Sequence, residues 1–172
     1  MLERPGLITM KGKPLTLIGP QLKVGDPAPD FTVVANDLSD FRFFASLQGQ
    51  VCVIASVPSL DTPVCDIETR RFNDEAAGLG AAVKLLTISM DLPFAQKRWC
   101  GAAGVANLKT YSDHREASFG LAYGVLIKEL RLLARAVFVV NQGGKLQHVQ
   151  LVPELTNEPD YAAVLAAVKS CL

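Results

Sequence analysis

The sequence lacks several features that mark common classes of protein. Its 17 basic residues balance its 17 acidic residues, and no basic block indicates a surface for nucleic acid. No apolar run reaches the roughly 18 residues that span a bilayer, and the first residues lack the apolar centre of a secretory signal. These absences predict a cytoplasmic protein with reduced thiols that binds neither nucleic acid nor a membrane.

Cysteine is scarce, and histidine is scarcer. The chain has four cysteines, no two of which form a C-x-x-C pair, and only two histidines. This supply does not suit a structural zinc site, which needs four ligands at close spacing. A disulfide scaffold is not expected either, because a chain of 172 residues can bury a large core without one. We therefore expect neither a metal nor another cofactor.

The order of apolar segments predicts an α/β protein. Residues 51–56 are nearly all apolar and β-branched, which is typical of a central strand buried on both faces. Further strands are predicted at 31–35, 41–44, 82–89, 136–141 and 145–151, and a hairpin at 8–17 that turns at Lys11-Gly12-Lys13. Helices are predicted at 63–77 (stopped by Gly78 and Gly80), 93–100 (ending at Gly101), 115–123 and 159–171.

This order is that of a thioredoxin-like fold. A βαβ unit is followed by a ββα unit, which places a central mixed sheet between helices, and the first hairpin is an N-terminal extension. No internal repeat and no linker interrupts the pattern. We expect one domain over residues 1–172.

Cys65 is the most informative residue of the chain. It falls in the first turn of the helix that follows the central strand, where Thr62 can serve as the N-cap and Pro63 suits the first helical position. The start of a helix carries unpaired backbone N–H groups and a partial positive charge. A thiol placed there ionises more readily, and the thiolate is the reactive form. The pattern predicts a nucleophile.

The residues before Cys65 indicate which substrate this nucleophile takes. A dithiol oxidoreductase carries C-x-x-C at this helix start, whereas Thr62 stands at the first of those positions. A single thiolate with a hydroxyl three residues earlier suits a peroxide. The thiolate attacks one oxygen of the O–O bond, becomes a sulfenic acid and releases water or an alcohol. Thr62 and the backbone N–H groups of the helix start could hold the peroxide.

These residues match a known family. The pattern Pro58-x-x-x-Thr62-x-x-Cys65 is similar to the active-site pattern of peroxiredoxins. Longer stretches resemble the bacterial thiol peroxidases, an atypical two-cysteine branch, and the resemblance covers nearly the whole chain. The stretches are residues 59–62, 69–73, 91–102, 133–139 and 158–161. Pro63 departs from the glycine that is usual there, and Cys171 has no counterpart in the family pattern.

The resemblance implies a role for each of five residues. Cys65 would be the peroxidatic cysteine and Cys100 the resolving cysteine of the same subunit. Thr62 would orient the peroxide, Arg135 would stabilise the thiolate and the developing charge, and Pro58 would shield the sulfenic acid. The resemblance also implies a homodimer that reduces hydrogen peroxide and organic hydroperoxides and is itself reduced by thioredoxin.

Several alternatives remain open at this point. Arg135 could be a salt-bridged strand residue, Cys52 is expected to be a core residue, and Cys171 an incidental thiol. The protein could also be a thioredoxin-fold thiol–disulfide oxidoreductase, or a redox sensor or holdase that uses Cys65 as a switch. Because Cys65 begins one helix while Cys100 ends another, a bond between them would require local unwinding.

Overall fold

The computed structural model describes residues 1–172 apart from the side chain of Ala76. It consists of a seven-stranded sheet, a smaller three-stranded sheet and five helices. In chain order the elements are β1 (Glu3–Met10), β2 (Lys13–Ile18), β3 (Thr32–Val34), β4 (Asp40–Arg42), α1 (Phe43–Leu47), β5 (Val51–Ser56), α2 (Pro63–Leu79), β6 (Val83–Ser89), α3 (Pro93–Ala103), β7 (Lys109–Ser112), α4 (Ser118–Ala122), β8 (Leu126–Ile127), β9 (Ala136–Val140), β10 (Leu146–Leu151) and α5 (Tyr161–Lys169).

The large sheet is mixed, and its strand order is β10-β9-β5-β6-β7-β3-β4. Strands β5, β6 and β7 are parallel, whereas β9 and β10 on one side and β3 and β4 on the other are antiparallel to their neighbours. This is the predicted thioredoxin-like arrangement, with a mixed sheet, flanking helices and an N-terminal antiparallel strand pair. None of the described helices is long and apolar enough to cross a membrane.

Strand β5 separates two apolar cores. All six of its residues are buried. Because successive side chains of a strand point to opposite faces, Cys52 and Ile54 join the core that includes the N-terminal hairpin. Val51 and Val53 join the core beneath α2 and α5, which contains Phe72. Cys52 is therefore the core residue that the sequence predicted.

The topology brings the end of β5 to the start of β9. These strands are antiparallel, with Ser56 opposite Ala136. The residue that precedes Ala136 is Arg135, and the segment that follows Ser56 leads into α2 and Cys65. Cys65 and Arg135, which are 70 positions apart in sequence, are thus placed near the same end of these two strands.

The N-terminal hairpin is confirmed, and it is fastened to the C-terminal part of the chain. Its two-residue turn has positive φ at both Lys11 (51°) and Gly12 (76°), which matches the right-handed twist of the strands. Glu154 accepts hydrogen bonds from the Thr9 hydroxyl at 2.7 Å and from the backbone N–H groups of Lys11 at 3.0 Å and Gly12 at 3.1 Å. One carboxylate therefore holds the tip of the hairpin.

Some predicted boundaries are wrong. The predicted stop of α2 at Gly80 is confirmed, with φ of 70°, but Gly78 lies inside that helix. Gly101 lies inside α3, which ends at Gly104 with φ of 67°. A glycine within a helix costs only about 1 kcal/mol, so each helix ends instead at a glycine where the backbone needs a positive φ. Phe43 begins the short helix α1 and does not continue a strand.

Strands β7 and β8 were not predicted. Both are short, and each exists because it pairs with a distant segment. Strand β7 lies between β6 and β3, and β8 pairs with β2. Such pairing is set by tertiary contacts and leaves little trace in the local pattern.

The hydrogen bonds that Glu154 accepts from the hairpin predict a pH-dependent contribution to stability. The hydrogen bond from Thr9, with those from Gly12 and Lys11, lowers the pKa of Glu154 from 4.5 to about 2. Its contribution is therefore complete above pH 4.5 and is lost as the pH falls towards 2. We expect Glu154→Gln to lower the unfolding temperature at pH 7, and we expect the gap from the wild type to close near pH 2.

Thermal melts followed by circular dichroism measure this gap. The exposed Glu116→Gln variant is the control, because it changes the net charge equally and leaves the hydrogen bonds between Glu154 and the hairpin in place. An equal gap between wild type and Glu154→Gln at pH 7 and at pH 2 would contradict the prediction.

Candidate active site

Cys65 lies in a site that excludes solvent. Its side chain is buried, and its sulfur accepts a hydrogen bond from Nη2 of Arg135 at 3.3 Å. It is the third residue of α2, with Pro63 at the first position, as predicted. The helix start and the guanidinium both stabilise negative charge on this sulfur. The structure thus surrounds Cys65 with groups that suit a thiolate.

Arg135 is itself buried, and its N–H groups bind three acceptors. Besides Cys65, the guanidinium binds the carbonyl oxygen of Leu155, through Nε at 3.2 Å and Nη2 at 2.9 Å. Nη1 forms an ion pair with Glu68. Burial alone would lower the pKa of Arg135, but the charges of Glu68 and Cys65 outweigh this effect and raise that pKa. Arg135 is therefore a fixed cation that both pairs with a carboxylate and contacts the thiol.

A cavity of about 270 Å³ leads to this arginine. Most of its lining is apolar, and Arg135 is the charged residue among those that line it. The lining residues are Met10, Pro58, Thr62, Pro63, Val64, Leu130, Leu132, Arg135, Leu155 and Thr156. Three residues singled out in the sequence, Pro58, Thr62 and Arg135, thus meet in one cavity next to Cys65. Met10 reaches it from the N-terminal hairpin.

The Thr62 hydroxyl does not cap α2. Thr62 has the extended backbone of an N-cap residue, but its side chain makes no capping hydrogen bond. Instead the hydroxyl donates to the carbonyl oxygen of Ser59 at 3.0 Å. Its only proton is then engaged, and its lone pairs are left to accept a hydrogen bond from a molecule in the cavity. Thr62 therefore occupies the predicted N-cap position without the side-chain hydrogen bond of a cap, and this orientation suits the predicted contact with substrate.

The loop between β5 and α2 is held by a carboxylate from another strand. Asp91, just after β6, accepts hydrogen bonds from the Ser59 hydroxyl at 2.7 Å and the Leu60 backbone N–H at 2.8 Å. The Ser89 hydroxyl donates to the same carboxylate at 2.7 Å. Two points of the loop are thereby fixed, and the loop in turn sets the position of Thr62.

Cys100 and Cys65 border one apolar cluster, but they are not bonded. Cys65, Val57 and Trp99 are buried in this cluster, and the partly buried Cys100 packs against it. The sulfur of Cys100 lies 3.2 Å from Oγ1 of Thr110, whereas the sulfur of Cys65 faces Arg135. Both thiols are free. The structure therefore shows the reduced form.

Two contributors to the site were not singled out in the sequence. Glu68 follows Cys65 by three residues, a spacing that places both on one face of a helix, so the pattern held a signal. Leu155 contributes only its backbone carbonyl, for which side-chain identity gives no signal. The contact with Glu68 also shows that Arg135 is salt-bridged, as the alternative interpretation held, while it touches the cysteine as well.

The fold and the site are those of a thioredoxin-like domain with a single thiol at a helix start. A family model described as Redoxin matches residues 23–165. A solved peroxiredoxin-like protein from Aquifex aeolicus is 47% identical, with a TM-score of 0.89 over 96% of each chain.

Curated relatives narrow the class. A thiol peroxidase of Halalkalibacterium halodurans is 58% identical over 96% of this chain and 98% of its own length. One from Bacillus subtilis is 55% identical over 95% and 96%, and one from Staphylococcus aureus is 53% identical over 95% and 98%. The chain belongs to the redoxin family and, within it, to the bacterial thiol peroxidases.

Proposed function

We propose that this chain is a thiol-dependent peroxidase, acting as one domain over residues 1–172, that reduces hydrogen peroxide and organic hydroperoxides through Cys65. The observation that carries the proposal is the placement of Arg135, whose guanidinium donates to the Cys65 sulfur at 3.3 Å and which also lines the cavity. A peroxide in that cavity meets the same cation as the thiolate. The family relationship supports the same chemistry.

The first step is a displacement at oxygen. The Cys65 thiolate attacks one peroxide oxygen and forms the S–O bond as the O–O bond breaks. The attacked oxygen stays on sulfur with its hydrogen, and the leaving oxygen takes the electron pair, gains a proton from solvent and departs as water or an alcohol. Arg135 stabilises the negative charge as it moves from sulfur to the leaving oxygen. Thr62 accepts a hydrogen bond from the peroxide hydroxyl and fixes its direction.

Ionisation of the thiol alone cannot account for such catalysis. A thiol with a pKa near 8.5 is about 3% ionised at pH 7, so complete ionisation adds a factor of about 30. Lowering a thiol pKa by about three units also reduces its intrinsic nucleophilicity by roughly 15–30-fold. Since the two effects nearly cancel, the rate must come from donors that stabilise the transition state.

The lining of the cavity supports organic hydroperoxides as substrates. Met10, Leu130 and Leu132 offer apolar surface to an alkyl group, while Arg135 and Thr62 offer polar contacts to the peroxide end. Apolar walls with a few convergent polar groups are typical of small-molecule sites. Hydrogen peroxide fits the polar end without using the walls.

The second step forms a disulfide within the subunit. The Cys100 thiol attacks the sulfur of the Cys65 sulfenic acid, and water leaves as the S–S bond forms. A dithiol protein of the thioredoxin type then reduces the disulfide by exchange, which restores both thiols. This cycle suits a reducing compartment such as the cytoplasm. We also propose that the chain forms a homodimer. The exposed apolar residues Leu92 and Phe94 at the start of α3 support an interface there.

Helix α3 must be released from α2 before Cys100 can reach Cys65. Trp99 donates from its indole N–H to Asp66 at 2.9 Å. Arg70 binds Asp66 at 2.9 Å and the carbonyl oxygen of Ala103 at 3.0 Å, and its guanidinium lies 5.7 Å from the centre of the Trp99 ring. These contacts join the first turns of α2 to the last turns of α3. Local opening of one helix end has to break them.

Arg135→Ala tests the first step. We expect the second-order rate constant with peroxide to fall about 100-fold or more, the scale seen when a transition-state donor is removed. Stopped-flow kinetics under single-turnover conditions measure this constant, and the ionised fraction of Cys65 is measured in parallel. Arg115→Ala, at an exposed arginine paired with Asp40, is the control. A rate loss that follows the ionised fraction of Cys65 alone would contradict the role of Arg135 in stabilising the transition state.

Cys100→Ser tests the two-cysteine cycle. We expect this variant to form a Cys65 sulfenic acid with one equivalent of peroxide, trapped with dimedone and identified by mass spectrometry. We expect it to lose thioredoxin-supported turnover, because no intramolecular disulfide forms. Cys171→Ser is the matched control and should turn over normally. Full turnover of Cys100→Ser would exclude Cys100 as the resolving residue, and a wild type that oxidises once without turnover would indicate a sensor.

Trp99→Phe tests the release of α3. The variant removes the hydrogen bond to Asp66, worth about 1 kcal/mol, so we expect disulfide formation to become about fivefold faster. The rate of sulfenic acid formation should not change. Acid quenching followed by mass spectrometry separates the two steps, and Lys97→Arg, at an exposed position of α3, is the control. Disulfide formation that is unchanged or slower would show that these contacts do not limit opening.

A further inference from the structure

Glu68 is a buried carboxylate with an incomplete set of partners. Its side chain has no exposed surface. One oxygen is paired with Arg135, whereas Oε1 is buried and has no hydrogen-bond partner among the described residues. An ionised carboxylate is costly in such a place unless all its acceptor sites are used. A buried polar atom left in this way next to a reactive site indicates a functional role.

Charged and titratable groups surround Glu68 on two elements besides its own. Arg135, just before β9, is the group bound to it. Glu158, just before α5, and Tyr161, the first residue of α5, lie close enough to interact electrostatically, and the Tyr161 hydroxyl donates to Glu158 at 2.7 Å.

On α2 itself, the neighbouring groups are Cys65 and Arg71. Cys65 lies one helical turn before Glu68 and binds the same guanidinium. The guanidinium of Arg71 is directed elsewhere, 3.9 Å from the centre of the Tyr161 ring. Arg135 is therefore the cation that Glu68 and Cys65 share.

We propose that Glu68 is a positioning residue of the peroxidase: it binds Nη1 of Arg135 so that Nη2 faces Cys65, and its charge competes with the thiolate for the same cation. This inference rests on the proposed function. A guanidinium is planar and rigid, so an anchor on one nitrogen fixes the direction of the others. The Leu155 carbonyl supplies a second anchor at Nε and Nη2. The contact of Glu68 with Nη1 then fixes the remaining rotation of the Arg135 guanidinium.

The competition follows from the count of charges. Arg135 balances one negative charge, so ionised Glu68 and a Cys65 thiolate together leave the buried site with a net charge of −1. Two acids that share one cation titrate as a coupled pair. Burial raises the pKa of Glu68 to about 7, although Arg135 opposes this shift. A Glu68 carboxyl that holds a proton near neutral pH therefore leaves the charge of Arg135 to Cys65.

Two variants separate the anchor from the charge. Glu68→Gln keeps the shape and an oxygen acceptor for Arg135 but removes the charge. We expect the pH of half-maximal alkylation of Cys65 by iodoacetamide to fall by roughly one unit, since the thiolate no longer competes for the cation. The rate constant with peroxide at pH 7 should stay within a few-fold of the wild type.

Glu68→Ala removes the anchor as well as the charge. We expect the rate constant with peroxide to fall about tenfold or more below that of Glu68→Gln, because the Arg135 donors lose their direction. Alkylation of the ionised thiol, which does not break an O–O bond, should be affected much less. Glu75→Gln, the same substitution elsewhere on α2, is the control for charge and should match the wild type in both assays.

The outcomes distinguish the two parts of the inference. An unchanged alkylation midpoint in Glu68→Gln overturns the competition, and equal peroxide rates in Glu68→Ala and Glu68→Gln overturn the anchor.

Should Glu68→Ala not fold, Glu68→Asp replaces it, because aspartate keeps the charge but shortens the reach. The expected result is then an unshifted midpoint with a slower peroxide reaction, and an unchanged rate overturns the anchor. The midpoint is measured without peroxide, so its failure is separate from failure of the proposed function.

Discussion

The burial of the Arg135 guanidinium is the constraint on which the rest of this site depends. A buried cation is tolerated only when its donors are matched by acceptors and its charge is balanced. Here the Leu155 carbonyl, the Glu68 carboxylate and the Cys65 sulfur meet that requirement together. The Cys65 thiol is therefore one of the acceptors that allow Arg135 to be buried, and the same contact stabilises the thiolate.

The structure meets two opposing demands at the start of α2. Attack on a peroxide needs a fixed thiolate, and the Asp91 carboxylate, which holds Ser59 and Leu60, supplies a rigid loop before the helix. A bond to Cys100 needs the same region, or the end of α3, to open. The contacts between these helices are partly exposed hydrogen bonds around Asp66. Such contacts contribute less than buried packing, which leaves this end of α2 easier to open than the core.

The fold was predictable where its signals are local. The buried strand β5, the helix start at Cys65 and the turn at Lys11-Gly12 depend on neighbouring residues, and the structure has each of them. The predicted stops at Gly78 and Gly101 were wrong because a glycine permits a helix end without requiring one. Strand β7 was missed because it exists only through pairing with β6 and β3.

The sequence by itself determined the order of elements, the thiol at a helix start and the hydroxyl of Thr62 in place of a second cysteine. These depend on spacing along the chain, which is readable residue by residue. Only the tertiary structure decided that Arg135 would reach a sulfur 70 residues away, and that Glu68 would be buried with it. It also directed the Cys100 thiol towards Thr110. The physical reason is that burial and ion pairing arise when distant segments converge, and convergence depends on the packing of the whole sheet.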